Sequence, residues 1–175
     1  MSRIYYWDSS VLIAFIKKEV DRVDAVEQFL DEAEAGDVTI VTSYMTLTEV
    51  VHWEDPAQKP KPIKPASEKL LKGFFQKDYF EWVNFDRKIA ESARDLIWEF
   101  GLKSKDAVHM ASALECIEIH GIKFDAIHSY DRDFTNLNGR INVVKCPIEE
   151  PIPTQQVLKL NDVRKKAKGK KRAKK

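Results

Sequence analysis

Four acidic residues stand where the surrounding sequence asks for burial. In "RIYYWDSSVLIAFI", Asp8 interrupts a run of aromatic and aliphatic residues. Glu49 lies in "YMTLTEVVHW", where its neighbours at helical spacing are Met45 and Trp53, an apolar stripe. Asp106 opens "DAVHMASALECIEIH", in line with Met110, Ala113 and Ile117. Asp131 follows "DAIHS", and Asp133 comes two residues later. Each acid alone has a structural reading. Asp8 before Ser9 and Ser10 suits a helix N-cap, Glu49 reaches for the surface, and Asp106 complements a helix dipole. Asp131 and Asp133 suit a turn.

Together they suggest chemistry. Asp8 and Asp131 come just after strands and Asp106 at a helix start, and open parallel sheets bind ligands beyond the carboxyl ends of their strands. Four carboxylates converging there repel and raise each other's pKa. A multivalent cation among them removes that penalty, and oxygen-only ligation suits Mg2+ or Mn2+. Such an ion activates a water and steadies charge on a leaving oxygen, so the chemistry expected is in-line hydrolysis of a phosphodiester.

The elements that must position these acids alternate between short strands and longer helices. Residues 3–7 read as a first strand and 9–18 as a short helix. Residues 22–35 form a helix with Val23, Val26, Phe29, Leu30 and Ala33 on one stripe, stopped by Gly36. "DVTIVTS" is a strand, and "YMTLTEVVHW" returns to helix. "DPAQKPKPIKP" carries four prolines and reads as an extended insertion. "ASEKLLKGFFQ" is a helix with Gly73 as a weak point, "DYFEWVNF" a strand, and "DRKIAESARDLIWEFG" an amphipathic helix. "KSKDAVHMASALECIEIHG" is another helix, "FDAIHS" a strand, "YDRDFTNL" a turn or half-helix, and "INVVK" a last strand. This alternation favours a parallel sheet flanked by helices.

The 175 residues fit one domain with tails to spare. No apolar run is long enough for a membrane-spanning helix, and the N-terminus does not resemble a signal peptide. Cys116 and Cys146 lie in no paired motif and read as reduced thiols of a cytoplasmic protein. The net charge of +1 hides an asymmetry. The last twelve residues carry nine of the 29 Lys and Arg, leaving 20 against 28 acids in the body, a net of −8. That block, Arg164, Lys165, Lys166, Lys168, Lys170, Lys171, Arg172, Lys174 and Lys175, is expected to be disordered. It suits either electrostatic attachment to nucleic acid or a solubilising tail.

Other chemistries find less support. The four histidines form no paired zinc motif. Six glycines supply neither a phosphate loop nor a nucleophile elbow. "WDSS" lacks the second carboxylate two residues on that an aspartyl-phosphate site of the haloacid-dehalogenase type uses. Arg94 suits either a charge balancer near the acids or a solvated helix face. "LLKGFFQ" is the best candidate for an apolar contact patch, with a second copy in a homodimer or with a partner segment.

The chain resembles the PIN-domain ribonucleases, particularly the toxin half of VapBC toxin–antitoxin pairs. "YYWDSSVLIAFI" is similar to the family's first motif, "TSYMTLTEVVH" to the second, "KSKDAVHMASALE" to the third and "AIHSYDRDF" to the fourth, in the right order over residues 3–146. The resemblance implies a three-layer α/β/α sandwich with a central parallel sheet, over residues 1–148, followed by an extension over 149–175. It implies Mg2+- or Mn2+-dependent cleavage of RNA, with Asp8, Glu49, Asp106 and Asp131 as catalytic and metal-holding acids. Ser10 and Ser129 resemble the hydroxyl residues that support them, and Asp133 resembles a substitute or supporting acid. It also implies an antitoxin protein as partner. The proline-rich insertion and the basic extension depart from the short toxin pattern. A non-catalytic RNA-binding module that uses the tail is the alternative in a different class.

Overall fold

The computed structural model describes residues 2–51 and 63–131. Trp53, most of the proline-rich insertion, Asp133, the expected last strand, Cys146 and the basic tail lie outside the described residues.

Strand β1, Arg3–Trp7, is the centre of the assembly. Alternate residues of a strand face opposite ways. Tyr5 and Trp7 therefore point to one side and Tyr6 to the other. Strand β2, Val38–Ser43, pairs with β1 in parallel, placing Tyr5 opposite Ile40. Strand β3, Phe80–Val83, pairs in parallel with β2, and β4, Ala126–His128, in parallel with the other side of β1. The order is β3-β2-β1-β4.

Helices cover both faces, as a parallel sheet requires. Helix α1, Ser9–Ile16, and helix α2, Val23–Glu34, pack Val11, Leu12, Val26 and Leu30 onto the Tyr5–Trp7 face. Helix α4, Pro65–Phe75, adds Leu71 to that side. On the opposite face, helix α5, Arg87–Phe100, turns Ile89, Ala93 and Leu96 inward. Asp86 caps its start by accepting from the Ile89 N–H at 2.9 Å, and Gly101 ends it at φ 69°, a left-handed conformation glycine adopts freely. Helix α6, Ser104–Glu118, carries buried residues along its length, Ala107, Met110, Ala113 and Leu114 among them. The result is the three-layer α/β/α sandwich with a parallel sheet. No helix among the described residues is long and apolar enough to cross a membrane.

The clearest departure from the sequence reading is at residues 44–51. A helix spans only Thr46–Glu49, here α3, and Val50 leaves helical geometry at φ −93°, ψ 72°. The helix that was expected to carry Glu49 in its interior therefore ends at Glu49, which closes a single turn. Two local causes are visible. Thr46, Thr48, Val50 and Val51 are β-branched and weak in helices. Thr46 is also tied elsewhere: its hydroxyl lies 2.7 Å from that of Thr42, which donates to the Trp7 carbonyl at 2.8 Å. Helix α4, by contrast, runs straight through Gly73.

Of "LLKGFFQ", Leu71 is buried, while Phe74 and Phe75 are half-buried. Phe74 stacks on Phe15 and meets Phe80 edge-on, and Phe75 meets Trp82. Much of the expected contact patch is spent on this chain's own core, and Leu70 is its exposed large apolar side chain.

Candidate active site

Asp8 lies immediately beyond β1 and is only 3% exposed. The chain turns there from strand to helix, and the side chain caps α1 by accepting the Ser10 N–H at 2.9 Å. The N-cap reading of Asp8 is thus correct, and it accounts for only part of what this carboxylate does. Its Oδ1 also accepts the Ser10 hydroxyl at 2.5 Å, and Oδ2 accepts the Ser129 hydroxyl at 2.5 Å. Both serines are held in turn. The Tyr130 N–H donates to Ser10 Oγ at 2.8 Å, and the Asp131 N–H donates to Ser129 Oγ at 2.9 Å. The loop after β4 is thereby tied to the loop after β1. Ser10 and Ser129 are thus the two hydroxyls that hold Asp8.

Glu49 approaches from α3 and His109 from α6. Glu49 Oε2 lies 2.8 Å from His109 Nε2, and the Tyr6 hydroxyl lies 3.2 Å from His109 Nδ1. An ionised carboxylate only accepts, so Nε2–H donates to Glu49. His109 is 2% exposed, and the Glu49 side chain is 8% exposed. Lys105, one residue before Asp106, places its ammonium 3.3 Å from Glu49 Oε1. Asp106 sits between Lys105 and His109 in the first turn of α6, with Oδ2 shielded from solvent. Asp131 is half-buried, and Lys103 Nζ lies 4.0 Å from its Oδ2.

The two best-buried acids respond oppositely to these surroundings. Burial pushes the Asp8 carboxyl up, against the charge of His109 and the hydrogen bonds of Ser10 and Ser129. Burial would also raise Glu49, but the hydrogen bond and charge of His109, with Ser9 and Lys105, hold it below its ordinary value. Asp8 thus stays raised despite these partners, whereas Glu49, which His109 and Lys105 contact directly, is lowered.

The four acids stand at one edge of the sheet and are linked through Ser129, His109 and α6. Their donor chemistry, carboxylate oxygens without a thiol, fits a hard divalent ion. The Lys105 ammonium already occupies a cation's place at Glu49 Oε1. Among the described residues, however, no three His, Cys, Asp or Glu side chains are grouped to hold one ion. An ion entering here must replace contacts that the chain now makes with itself.

Other candidates fall away from the site. His128 is buried, accepts from Trp7 Nε1 at 3.0 Å and stacks on Tyr5. Arg94 pairs with Asp95 and lies over Trp98 on an exposed helix face. Three residues escaped the sequence reading: Tyr6, Lys105 and His109. The signal was present for two of them, since Lys105 and His109 flank Asp106 at −1 and +3 on one helix. Tyr6 looks like any core aromatic until His109 is seen beneath it.

The PIN domain family model matches residues 5–139. No curated protein matches the chain. Solved structures similar to it include the following two. One is a toxin–antitoxin complex from Klebsiella pneumoniae, 21% identical, with 82% of this chain and 97% of that one covered at a TM-score of 0.49. The other is VapBC2 from Rickettsia felis bound to a DNA fragment from its promoter. It is 18% identical, with 82% and 98% covered at a TM-score of 0.53, a likeness of fold.

Proposed function

The chain belongs to the PIN domain family, and on that premise we propose that it is a Mg2+- or Mn2+-dependent endoribonuclease that hydrolyses RNA phosphodiester bonds. The observation that carries this reading is Asp8. A carboxylate almost wholly buried at the carboxyl end of a central strand is held by two serine hydroxyls at an edge that also gathers Glu49, Asp106 and Asp131. Buried charge lacking a full counter-charge is costly unless a ligand supplies it.

In this reading Asp8, Glu49, Asp106 and Asp131 hold the cation. A bound Mg2+ or Mn2+ supplies polarisation of the phosphate and a water of lowered pKa. The chain's own groups do the positioning. Ser10 and Ser129 keep the Asp8 oxygens in place, and His109 with Tyr6 fixes the orientation of Glu49. Asp133, outside the described residues, belongs to the supporting set. The resemblance implies cleavage leaving a 5′-phosphate and a 3′-hydroxyl. The basic block from Arg164 to Lys175 grips RNA through counterion release.

We further read the protein as the toxin of a type II toxin–antitoxin pair. It would act in the cytoplasm, as a homodimer, with an antitoxin as partner. The motif order supports this, and the Rickettsia felis protein of the same fold is solved as such a pair.

The test is cleavage of an end-labelled RNA with Mn2+, with chelator, and with Asp106→Asn. Cleavage that survives chelation, or equals wild type in Asp106→Asn, ends the proposal. A second reading, an RNA-binding module without catalysis, draws on the lack of a three-ligand group among the described residues. It expects salt-sensitive RNA binding, lost on deletion of 164–175, and no cut under any metal.

A further inference from the structure

Lys105 is in an unfavourable place for a lysine. It lies in the first turn of α6, where the helix dipole disfavours cations. What offsets that cost is Glu49, whose Oε1 lies 3.3 Å from the ammonium. Among the partners of Glu49, His109 and Lys105 differ most in how firmly they are fixed. His109 is buried and bonded at both ring nitrogens, to Glu49 and to Tyr6, so moving it would strand two polar groups. Lys105 has a 63% exposed side chain, and lysine is a strongly hydrated charge on a flexible stem. The lysine end of the pair lies in water, where its charge is screened and its side chain mobile, so its hold on the buried carboxylate is the weaker of the two. Glu49 Oε1 is therefore the oxygen that is free to change partners, and Oε2 is not.

We propose that Lys105 is a resident counter-ion that a divalent cation must displace from Glu49 Oε1, so that this lysine sets how much cation the site needs. His109 keeps Oε2 throughout and presents Oε1 to the incoming ion. The inference rests on the proposed cation dependence, and it explains why the described acids stand at one edge without forming a closed cage. In the absence of the ion, Lys105 limits the repulsion among the acids. With the ion bound, the ammonium swings to solvent.

The test is calorimetric titration of the full-length protein with Mn2+ alone, without RNA. Lys105→Gln should bind Mn2+ about three- to tenfold more tightly than wild type, from the lost competition and the lost like-charge repulsion. Lys105→Arg should stay close to wild type. Lys88→Gln, which removes the same charge at the distant Glu115 pair, should also stay close to wild type. In a Glu49→Gln background, Lys105→Gln should have little further effect, because the coupling runs through Glu49. Equal or weaker Mn2+ binding by Lys105→Gln, or the same gain from Lys88→Gln, overturns the proposal while leaving cation dependence intact. Failure of the wild type to bind Mn2+ overturns both.

Discussion

At the edge of the sheet where the strands begin, Arg3 meets Glu32 at 2.8 Å, Lys77 meets Glu34, and Asp125 accepts the Ile4 N–H at 2.8 Å. These charges are largely exposed, and each has its partner on a neighbouring element. At the edge where the strands end, Asp8, Glu49 and His109 are withdrawn from water and held by hydroxyls, a phenol and a single exposed lysine. The first edge is arranged as stability alone would arrange it. The second keeps buried charge that an apolar replacement would improve on, which is what a site retained for chemistry looks like.

Substituting both edges should separate the two descriptions. The largest effect is expected at Asp8. Asp8→Asn should lower metal-dependent RNA cleavage by about a hundredfold or more, with the thermal midpoint unchanged or raised. A fall in stability matching the fall in cleavage would mean that Asp8 is mainly a helix cap. Next is His109→Leu, which leaves Glu49 without its buried partner and should cost about 2–4 kcal/mol in urea unfolding. His109→Gln, whose amide can still donate to Glu49, should recover a good part of that loss.

Acid titration sharpens the contrast within the site. The Glu49 carboxyl is lowered from 4.5, so its contribution to stability is present above 4.5 and lost as pH falls through its folded value. The Asp8 carboxyl is raised from 3.8, so its contribution is present below 3.8 and lost as pH rises through its folded value. Near neutral pH, Glu49→Gln should therefore be less stable than wild type and Asp8→Asn at least as stable. Both differences should shrink as pH falls past these values in chemical-denaturation curves. Gaps of the same sign for the two variants would refute the assignment. The smallest effect is expected at the other edge. Arg3→Gln removes an exposed pair and should change stability by less than about 1 kcal/mol, with cleavage untouched.

The sheet and its flanking helices were legible because their signals are local and repeated. Tyr5, Tyr6 and Trp7 form a short apolar run, Val26, Leu30 and Ala33 keep helical spacing, and Gly101 marks an end. Asp8 stood out because it interrupts the apolar run between β1 and α1, and Asp106 because it lies in line with buried residues of α6. What the sequence concealed depends on contacts between distant segments. The α3 turn is short because Thr46 is tied to Thr42 and through it to Trp7, 35 residues from Thr42 in sequence. His109 gives no hint of its partners, since Tyr6 and Glu49 are 103 and 60 residues away. A search for paired zinc ligands passes over it, because its role is to hold a carboxylate.

The central claim is that the carboxylates at the strand ends share a hard cation. Anomalous diffraction from crystals grown with Mn2+ tests it directly. The account predicts a peak within coordination distance of Asp8 and Asp106, with the Lys105 ammonium moved off Glu49. Crystals in which no peak lies near those oxygens, while Lys105 still rests on Glu49 at saturating Mn2+, would contradict it.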